Sequence, residues 1–198
     1  MAVPAGAQGV SPAALTPEER AEVERIEAYL SGIRTMRAKF VQASSNGAYA
    51  EGTFYLSRPG RLRFEYEPPS PLLIVADGTI VYSHDLALKQ TTQIPLGLTP
   101  LWFLLRERIR FSGDVTLTKY ERVGGVIRIT LVQTKDPAAG SVTLAFQAEP
   151  LALRQWTVVD TQNISTNIAL TEAQQDVRLD SRLFVFTEDQ PRGTETPR

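Results

Sequence analysis

A stretch of strict alternation between charged and apolar residues constrains the fold more than any other part of this chain. Residues 61–67 read RLRFEYE, so every second side chain is apolar. Successive side chains of a β-strand point to opposite faces, so a strand here places Leu62, Phe64 and Tyr66 on one face and four charges on the other. The stretch predicts a half-buried strand whose arginines and glutamates form a solvated ladder.

The residues that follow predict further strands in an antiparallel meander. Prolines at positions 68, 69 and 71 lack the backbone N–H that strand pairing needs, so they end the strand predicted at residues 61–67. The apolar run Leu72–Ala76 is joined to Thr79–Tyr82 by Asp77-Gly78, a strong signal for a tight hairpin. Alternating segments elsewhere bring the expected total to about ten or eleven strands, the last at Leu183–Phe186. So many twisted, antiparallel strands tend to curl, and we expect a curved or barrel-like sheet.

Two helices are expected beside these strands. The first begins at Thr16-Pro17-Glu18-Glu19, where a capping threonine, a proline at the first helical position and a glutamate at the third form a capping box. Its apolar stripe comprises Val23, Ile26, Leu30 and Ile33. The second predicted helix, Leu101–Arg108, is apolar around most of its circumference, so protein or ligand must cover it.

The length and composition of the chain indicate one domain. Of 198 residues, 42% are hydrophobic and 22% are charged, which suits one core. We place the domain at residues 16–187, between flexible tails at 1–15 and 188–198. A net charge of −1 gives no general attraction to nucleic acid, which we exclude as a partner. The small residues that open the chain are typical of the segment after a signal-peptide cleavage site, so we expect Met1 to replace a removed signal peptide.

The chain is poor in the residues that catalysis and metal binding use. It has no cysteine and one histidine. Ser83-His84-Asp85 does not predict a triad, because consecutive strand residues point to alternate faces, and His84 is expected at the surface or rim. Glu65 and Glu67 lie about 7 Å apart along a strand, but the flanking arginines favour a charged ladder over a catalytic pair. We expect no enzyme activity, no cofactor and no metal site.

Large apolar side chains are concentrated on the predicted inner face of the sheet. Each one alone is explained by a packed core. Together they leave two interpretations evenly weighted: a filled core, or a curved sheet that encloses more volume than two short helices fill. The candidate cavity residues are Phe40, Phe54, Leu56, Leu62, Phe64, Tyr66, Val81 and Phe146 from the strands, with Trp102 and Phe103 from the second helix.

The central stretch also resembles a known protein family. The residues that carry the resemblance are Arg58-Pro59, Arg63-Phe64, Tyr66, Pro68, the run Ile74–Gly78, and Asp85 followed by Leu88 and Gln90. They are similar to the signature of the periplasmic outer-membrane lipoprotein carrier family, LolA. The chain departs from that pattern at His84, where the family usually has an aromatic residue. It also departs after Phe186, where the family usually has a proline pair and a glycine.

The resemblance implies an incompletely closed antiparallel β-barrel with helices that form a lid over an apolar cavity, and it favours the cavity over the filled core. It implies a monomeric periplasmic chaperone for triacylated lipoproteins, loaded by an inner-membrane lipoprotein-releasing ABC transporter and unloaded to an outer-membrane lipoprotein receptor. A related envelope module that binds lipid or senses lipoproteins is the alternative. The implied lid residues are Ile26, Leu30, Leu101, Leu104 and Leu105. Arg58 is the implied lid latch, and its alternative is an exposed turn arginine.

Overall fold

The computed structural model describes residues 10–100 and 102–188. Within them, one α-helix, eleven β-strands and four short 3₁₀ turns are formed. Helix α1 spans Pro17–Gly32. The strands are β1 Thr35–Ser44, β2 Tyr49–Ser57, β3 Arg61–Tyr66, β4 Leu72–Asp77, β5 Ile80–Asp85, β6 Gln90–Pro95, β7 Val115–Val123, β8 Val126–Gln133, β9 Ser141–Gln147, β10 Ala152–Val159 and β11 Ser165–Gln175. The 3₁₀ turns are Leu96–Leu98, Trp102–Leu105, Pro137–Ala139 and Ser181–Phe184.

All eleven strands join one antiparallel sheet in the order β6-β5-β4-β3-β2-β1-β11-β10-β9-β8-β7. Pairing of β1 with β11, which sets Phe40 opposite Leu170, connects a meander of β1–β6 to a meander of β7–β11. The ends of this order, β6 and β7, are the sheet's two edges, so the sheet is not closed. Residues 96–114, which we call the connecting segment, run from one edge to the other. The predicted incompletely closed barrel is confirmed.

The sheet curls tightly around its inner face. Phe54 on β2 and Trp156 on β10 are three strand positions apart, which is about 14 Å in a flat sheet. Their ring centroids are nevertheless only 5.9 Å apart. The two meanders therefore face each other across a shared apolar interior, and α1 lies over that interior with Ile26 and Leu30 fully buried.

The start of α1 matches the sequence prediction. Thr16 N donates to Glu19 Oε2 at 2.9 Å, and Glu19 N donates to Thr16 Oγ1 at 3.2 Å, which completes the capping box. Residues ahead of the helix are also part of the fold: Ala13 N donates to Leu117 O at 2.8 Å, and Leu15 packs against the core. The part of the predicted N-terminal tail that the structure describes is therefore bound to β7. Among the described residues, no helix has both the length and the apolarity to cross a bilayer.

The second predicted helix is wrong in type. In place of a helix over Leu101–Arg108, there is one 3₁₀ turn at Trp102–Leu105, and Leu101 lies outside the described residues. The carbonyls that would continue a helix have other partners: Leu104 O accepts from Arg58 Nε, and Leu105 O accepts from Gly60 N. Because these donors come from the β2–β3 connection, the local sequence pattern gave no sign of them.

The predicted last strand, Leu183–Phe186, is also wrong. Residues Ser181–Phe184 form a 3₁₀ turn, in which Asp180 accepts from Arg182 N at 2.9 Å. The turn lies on the outer face of the sheet and packs Leu183 and Phe184 against Tyr55. The alternation of apolar residues that suggested a strand thus belongs to a turn with one face on the sheet.

This turn changes the environment of β3. The predicted solvated ladder is not formed, because Arg63 is fully buried beneath the turn and donates to Leu183 O at 3.2 Å. Its Nε also donates to Glu65 Oε1 at 2.6 Å. His84, expected at the surface or rim, is buried as well, with Nδ1 at 2.9 Å from Thr91 Oγ1 and its ring 5.5 Å from that of Phe186. Both faces of this part of the sheet are therefore covered.

Candidate functional site

An apolar cavity lies between the inner face of the sheet, the C-terminal end of α1 and the 102–105 turn. Its volume is about 50 Å³. Pockets that hold small-molecule ligands are typically about 300–1,000 Å³, so this closed state has no room for an acyl chain. The lining residues are Leu30, Ile33, Met36, Phe54, Leu56, Arg58, Leu62, Phe64, Leu104, Leu105, Leu153, Trp156 and Leu170.

The structure brings together a part of the predicted site. Four of the candidate cavity residues line the cavity, namely Phe54, Leu56, Leu62 and Phe64, as do three of the candidate lid residues, Leu30, Leu104 and Leu105. Phe40 extends the same aromatic cluster, with ring centroids 5.1 Å from both Phe64 and Tyr66. The cluster continues the cavity wall along β1 and β3.

The other predicted residues lie further from the cavity. Phe146 is buried below α1, with its ring 6.4 Å from that of Tyr29. Val81 is half-buried on β5. Trp102 is also half-buried, and the Arg106 guanidinium lies 4.0 Å from its ring centroid. Phe103 is buried beside a second, smaller cavity of about 20 Å³.

Five lining residues were not predicted: Ile33, Met36, Leu153, Trp156 and Leu170. Met36 and Leu170 follow the alternation of Phe40 and Ile168 on their strands, and this parity could have identified them. Simple alternation along β10 could not place Trp156, because the pairing of β10 with β9 shifts register between Leu153 and Gln155.

Arg58 links the elements that cover the cavity. Its Nε donates to Leu104 O at 2.8 Å, and its Nη1 donates to Ile33 O at 2.9 Å and to Leu30 O. One guanidinium thus bonds the end of α1 to the 102–105 turn, using carbonyls that helix termini leave unsatisfied. Burial, with a smaller contribution from the charge of Arg34, lowers the pKa of Arg58 to about 10, so the side chain stays charged at neutral pH.

A few further contacts hold the connecting segment over the cavity. Gly60 N donates to Leu105 O at 2.8 Å, and Ile109 N donates to Ser31 Oγ at 2.9 Å. Arg106 contacts Trp102 and pairs with Asp114 at 2.7 Å, so both of its contacts lie within the segment itself. The 102–105 turn is therefore attached mainly through apolar packing and a small number of hydrogen bonds.

Acidic side chains attach helix α1 both to the end of the connecting segment and to β7. The Glu27 carboxylate accepts from Phe111 N at 2.6 Å and from Arg110 Nη1 at 2.7 Å, and both donors belong to the connecting segment. Glu22 accepts from Arg122 Nη1 at 2.7 Å and from the Tyr120 hydroxyl. Of the two elements that cover the cavity, α1 has the more extensive polar anchoring.

The fold and site together define a class: an open, curled antiparallel sheet with a helix and a short turn covering an apolar interior. The family model described as Outer membrane lipoprotein carrier protein LolA matches residues 31–187. The chain belongs to this outer membrane lipoprotein carrier family.

Individual relatives agree with this assignment. The chain is 30% identical over 175 residues to the outer-membrane lipoprotein carrier protein of Methylibium petroleiphilum, covering 83% of this chain and 84% of that protein. It is 28% identical over 188 residues to the carrier protein of Pseudomonas paraeruginosa, covering 90% and 88%. An uncharacterized conserved protein from Thermus thermophilus shares the fold, with a TM-score of 0.51 at 12% identity over 86% of this chain and 95% of that one.

Proposed function

We propose that this protein is a monomeric periplasmic chaperone that binds the acyl chains of lipoproteins and carries them from the inner to the outer membrane. The observation that carries the proposal is an apolar cavity whose cover is held by one buried arginine, Arg58. Membership of the lipoprotein carrier family supports it. No catalytic activity and no cofactor are part of the proposal.

The carrier must offer the acyl chain an interior comparable to lipid. Transfer of an acyl chain from water into an apolar environment gains about 0.8 kcal/mol per buried methylene. Almost all of the cavity wall is hydrocarbon from side chains such as Leu56, Leu62 and Phe64. A closed cover in the empty protein also hides this surface, since a large exposed apolar patch promotes aggregation.

Loading requires the cover to move. We assign the movement to the 102–105 turn and not to α1, because the helix is fixed to the second meander: Glu22 bonds to Arg122 on β7, and the Tyr29 hydroxyl accepts from Leu153 N on β10. Displacement of the 102–105 turn breaks the Arg58–Leu104 and Gly60–Leu105 hydrogen bonds and exposes the cavity wall. The energy that drives this step is proposed to come from the inner-membrane lipoprotein-releasing ABC transporter, and delivery is to an outer-membrane lipoprotein receptor.

The function is tested by identifying what the protein carries in its native compartment. Protein purified from the periplasm without detergent is analysed by native mass spectrometry, with triacylated lipoprotein as the expected cargo. The Leu104→Glu variant, which puts a charge in the cavity wall, is expected to lose the cargo. The Leu98→Glu variant is the matched control, because Leu98 belongs to the same segment but is 73% exposed, and it is expected to keep the cargo.

The outcomes separate the carrier from its alternative. Recovery of free lipid without lipoprotein from the wild-type protein would instead indicate an envelope module that binds lipid or senses lipoproteins. Cargo that persists in the Leu104→Glu variant would place the binding site outside the cavity.

A further inference from the structure

Trp156 is a buried side chain with an unpaired donor in the wall of an otherwise apolar cavity. It lies on β10, lines the cavity and is 5% exposed. Its ring centroid is 5.9 Å from that of Phe54 and 6.4 Å from that of Phe64. Among the residues that the structure describes, its Nε1–H has no hydrogen-bond acceptor.

An unpaired indole N–H is unfavourable in the closed protein. Buried donors normally have partners, and a buried tryptophan usually places its N–H against an acceptor. A phenylalanine at this position would fill much of the same apolar wall without that cost. Arg58, the other side chain in the wall with N–H groups, donates to the carbonyls of Leu30, Ile33 and Leu104. These bonds use Nε and Nη1 of Arg58, and the Trp156 N–H is the uncharged side-chain donor in this wall that the closed protein leaves without an acceptor.

We infer that Trp156 Nε1–H donates a hydrogen bond to an ester carbonyl oxygen of a glycerol-linked acyl chain in the open cavity. This inference rests on the proposed function, because it names a contact of the same site. Hydrocarbon tails have no acceptor, whereas each O-linked acyl chain carries a carbonyl where it joins the glycerol. The contact selects acylated glycerol over bare hydrocarbon and fixes how deeply the chains enter.

The test uses two ligands that differ in the carbonyl groups. Dioctanoylglycerol has two ester carbonyls, and 1,2-di-O-octylglycerol has the same alkyl lengths joined through ethers. The wild-type protein is expected to bind the ester about fivefold more tightly, the value of one neutral hydrogen bond. The Trp156→Phe variant is expected to bind both ligands equally.

Two readouts show that the variant effect comes from the donor and not from misfolding. Trp156→Phe removes an unsatisfied buried donor but also part of a buried ring, and these effects on stability oppose each other, so its melting temperature without ligand is expected to stay within about 4 °C of the wild type. In the wild-type protein labelled with ¹⁵N-tryptophan, the indole proton of Trp156 is expected to shift downfield with the ester and not with the ether. Trp102, the second of the two tryptophans, is the internal reference.

The failures are distinguishable. If neither ligand binds the wild-type protein, the proposed function and this inference both fall. If both ligands bind equally to the wild type, or if Trp156→Phe keeps the ester preference, the inference falls and the carrier function stands.

Two further ligands, each compared with its ether analogue, show whether the ester that Trp156 contacts belongs to lipoprotein or to free phospholipid. A diacylglyceryl-cysteine peptide represents lipoprotein, and a phosphatidylcholine with the same chains represents free phospholipid. Ester preference for the peptide alone assigns the contact to lipoprotein, and ester preference for both assigns it to acylated glycerol in general. Ester preference for neither overturns the inference.

Discussion

At the scale of single residues, buried polar side chains distinguish this molecule from an ordinary β-sheet with an apolar core. Arg58 is bonded to carbonyls over the cavity, and Arg63 is bonded beneath the C-terminal turn on the opposite face. The parity of residues 61–67 predicted the inward direction of Leu62, Phe64 and Tyr66. It could not predict burial of Arg63, because the covering Leu183 lies 120 positions away in sequence.

Loss of the Arg58 guanidinium is expected to free the cover of the cavity. In Arg58→Leu, the Gly60 amide, which bonds to Leu105 O, should exchange with solvent about tenfold faster or more, since hydrogen bonds from a charged donor contribute about 1.5–3 kcal/mol each. Amide hydrogen exchange followed by NMR measures this. Arg61→Leu is the control, because Arg61 lies 6.0 Å from the Phe184 ring on the outer face. Equal exchange in the two variants would refute the role of Arg58 as a latch.

Tyr66 is expected to make the protein sensitive to alkali. Burial raises the pKa of Tyr66 to about 12, and its hydroxyl donates to Gln42 Oε1 at 2.8 Å. The folded state holds this proton more tightly than the unfolded state does, so the stabilisation is complete below pH 10 and is lost as the pH rises toward 12. The loss approaches about 3 kcal/mol.

Urea unfolding between pH 8 and 11.5 measures this contribution. The difference in the free energy of unfolding between the wild type and Tyr66→Phe should become smaller at high pH. Taking the difference removes the opposite contribution of Arg58, whose lowered pKa makes stability rise above pH 10. Tyr49→Phe, at a position that is 65% exposed, is the control. A constant difference across the range would contradict the assignment.

At the scale of elements, close packing of strands determines which substitutions the sheet accepts. Gly52 on β2 faces Phe40 on β1 and Tyr66 on β3. A Cβ atom at this glycine would lie 2.0 Å from Glu65 O and 2.8 Å from Phe40 Cε1. The glycine therefore allows β3 and the Phe40 ring to approach β2 closely.

Gly52→Ala is expected to lower the free energy of unfolding by about 3 kcal/mol, at the upper end of the cost of overpacking, because a strand backbone must shift. Gly32→Ala provides the matched comparison. Gly32 ends α1 and has open space around its Cβ position, so alanine should leave stability unchanged or raise it by up to about 1 kcal/mol. Chemical denaturation measures both. Similar losses in the two variants would show that the cost does not arise from packing between β2 and β3.

The elements also show why sequence patterns succeed or fail. The capping box of α1 and the Asp77-Gly78 hairpin depend on residues within a few positions of one another, and both were predicted. The 102–105 turn and the C-terminal turn depend on partners far along the chain, namely Arg58, Gly60 and Tyr55. Apolar spacing alone could not distinguish these turns from a helix and a strand.

At the scale of the whole molecule, the two meanders meet at one seam, β1 with β11, and their other ends are free edges. Strand number and antiparallel pairing follow from local alternation and short turns, so the curled sheet could be predicted. The pairing of β1 with β11 could not be predicted, because the paired residues are about 130 positions apart in sequence, as in Phe40 and Leu170. The small volume of the closed cavity could not be predicted either, since it depends on how side chains from both meanders pack against each other.

The connecting segment is expected to control opening through its length. Insertion of Gly-Ser-Gly-Ser after Gly97, which is exposed and has open space around it, should leave the free energy of unfolding within about 1 kcal/mol of the wild type, because lengthening a loop costs little. Uptake of a fluorescent fatty-acyl probe should become faster. Insertion of the same residues after Gly124, in the β7–β8 turn, is the control. Faster uptake in the control as well would argue against a specific role for the segment.

Both ends of the connecting segment are continuous with the sheet's edges, β6 on one side and β7 on the other. Any cargo that pushes these edges apart must also stretch the chain that spans them. Under the proposed function, the length of residues 96–114 therefore limits the width of the cargo. A cargo that is too wide would extend the connecting segment across the cavity opening and prevent it from moving aside.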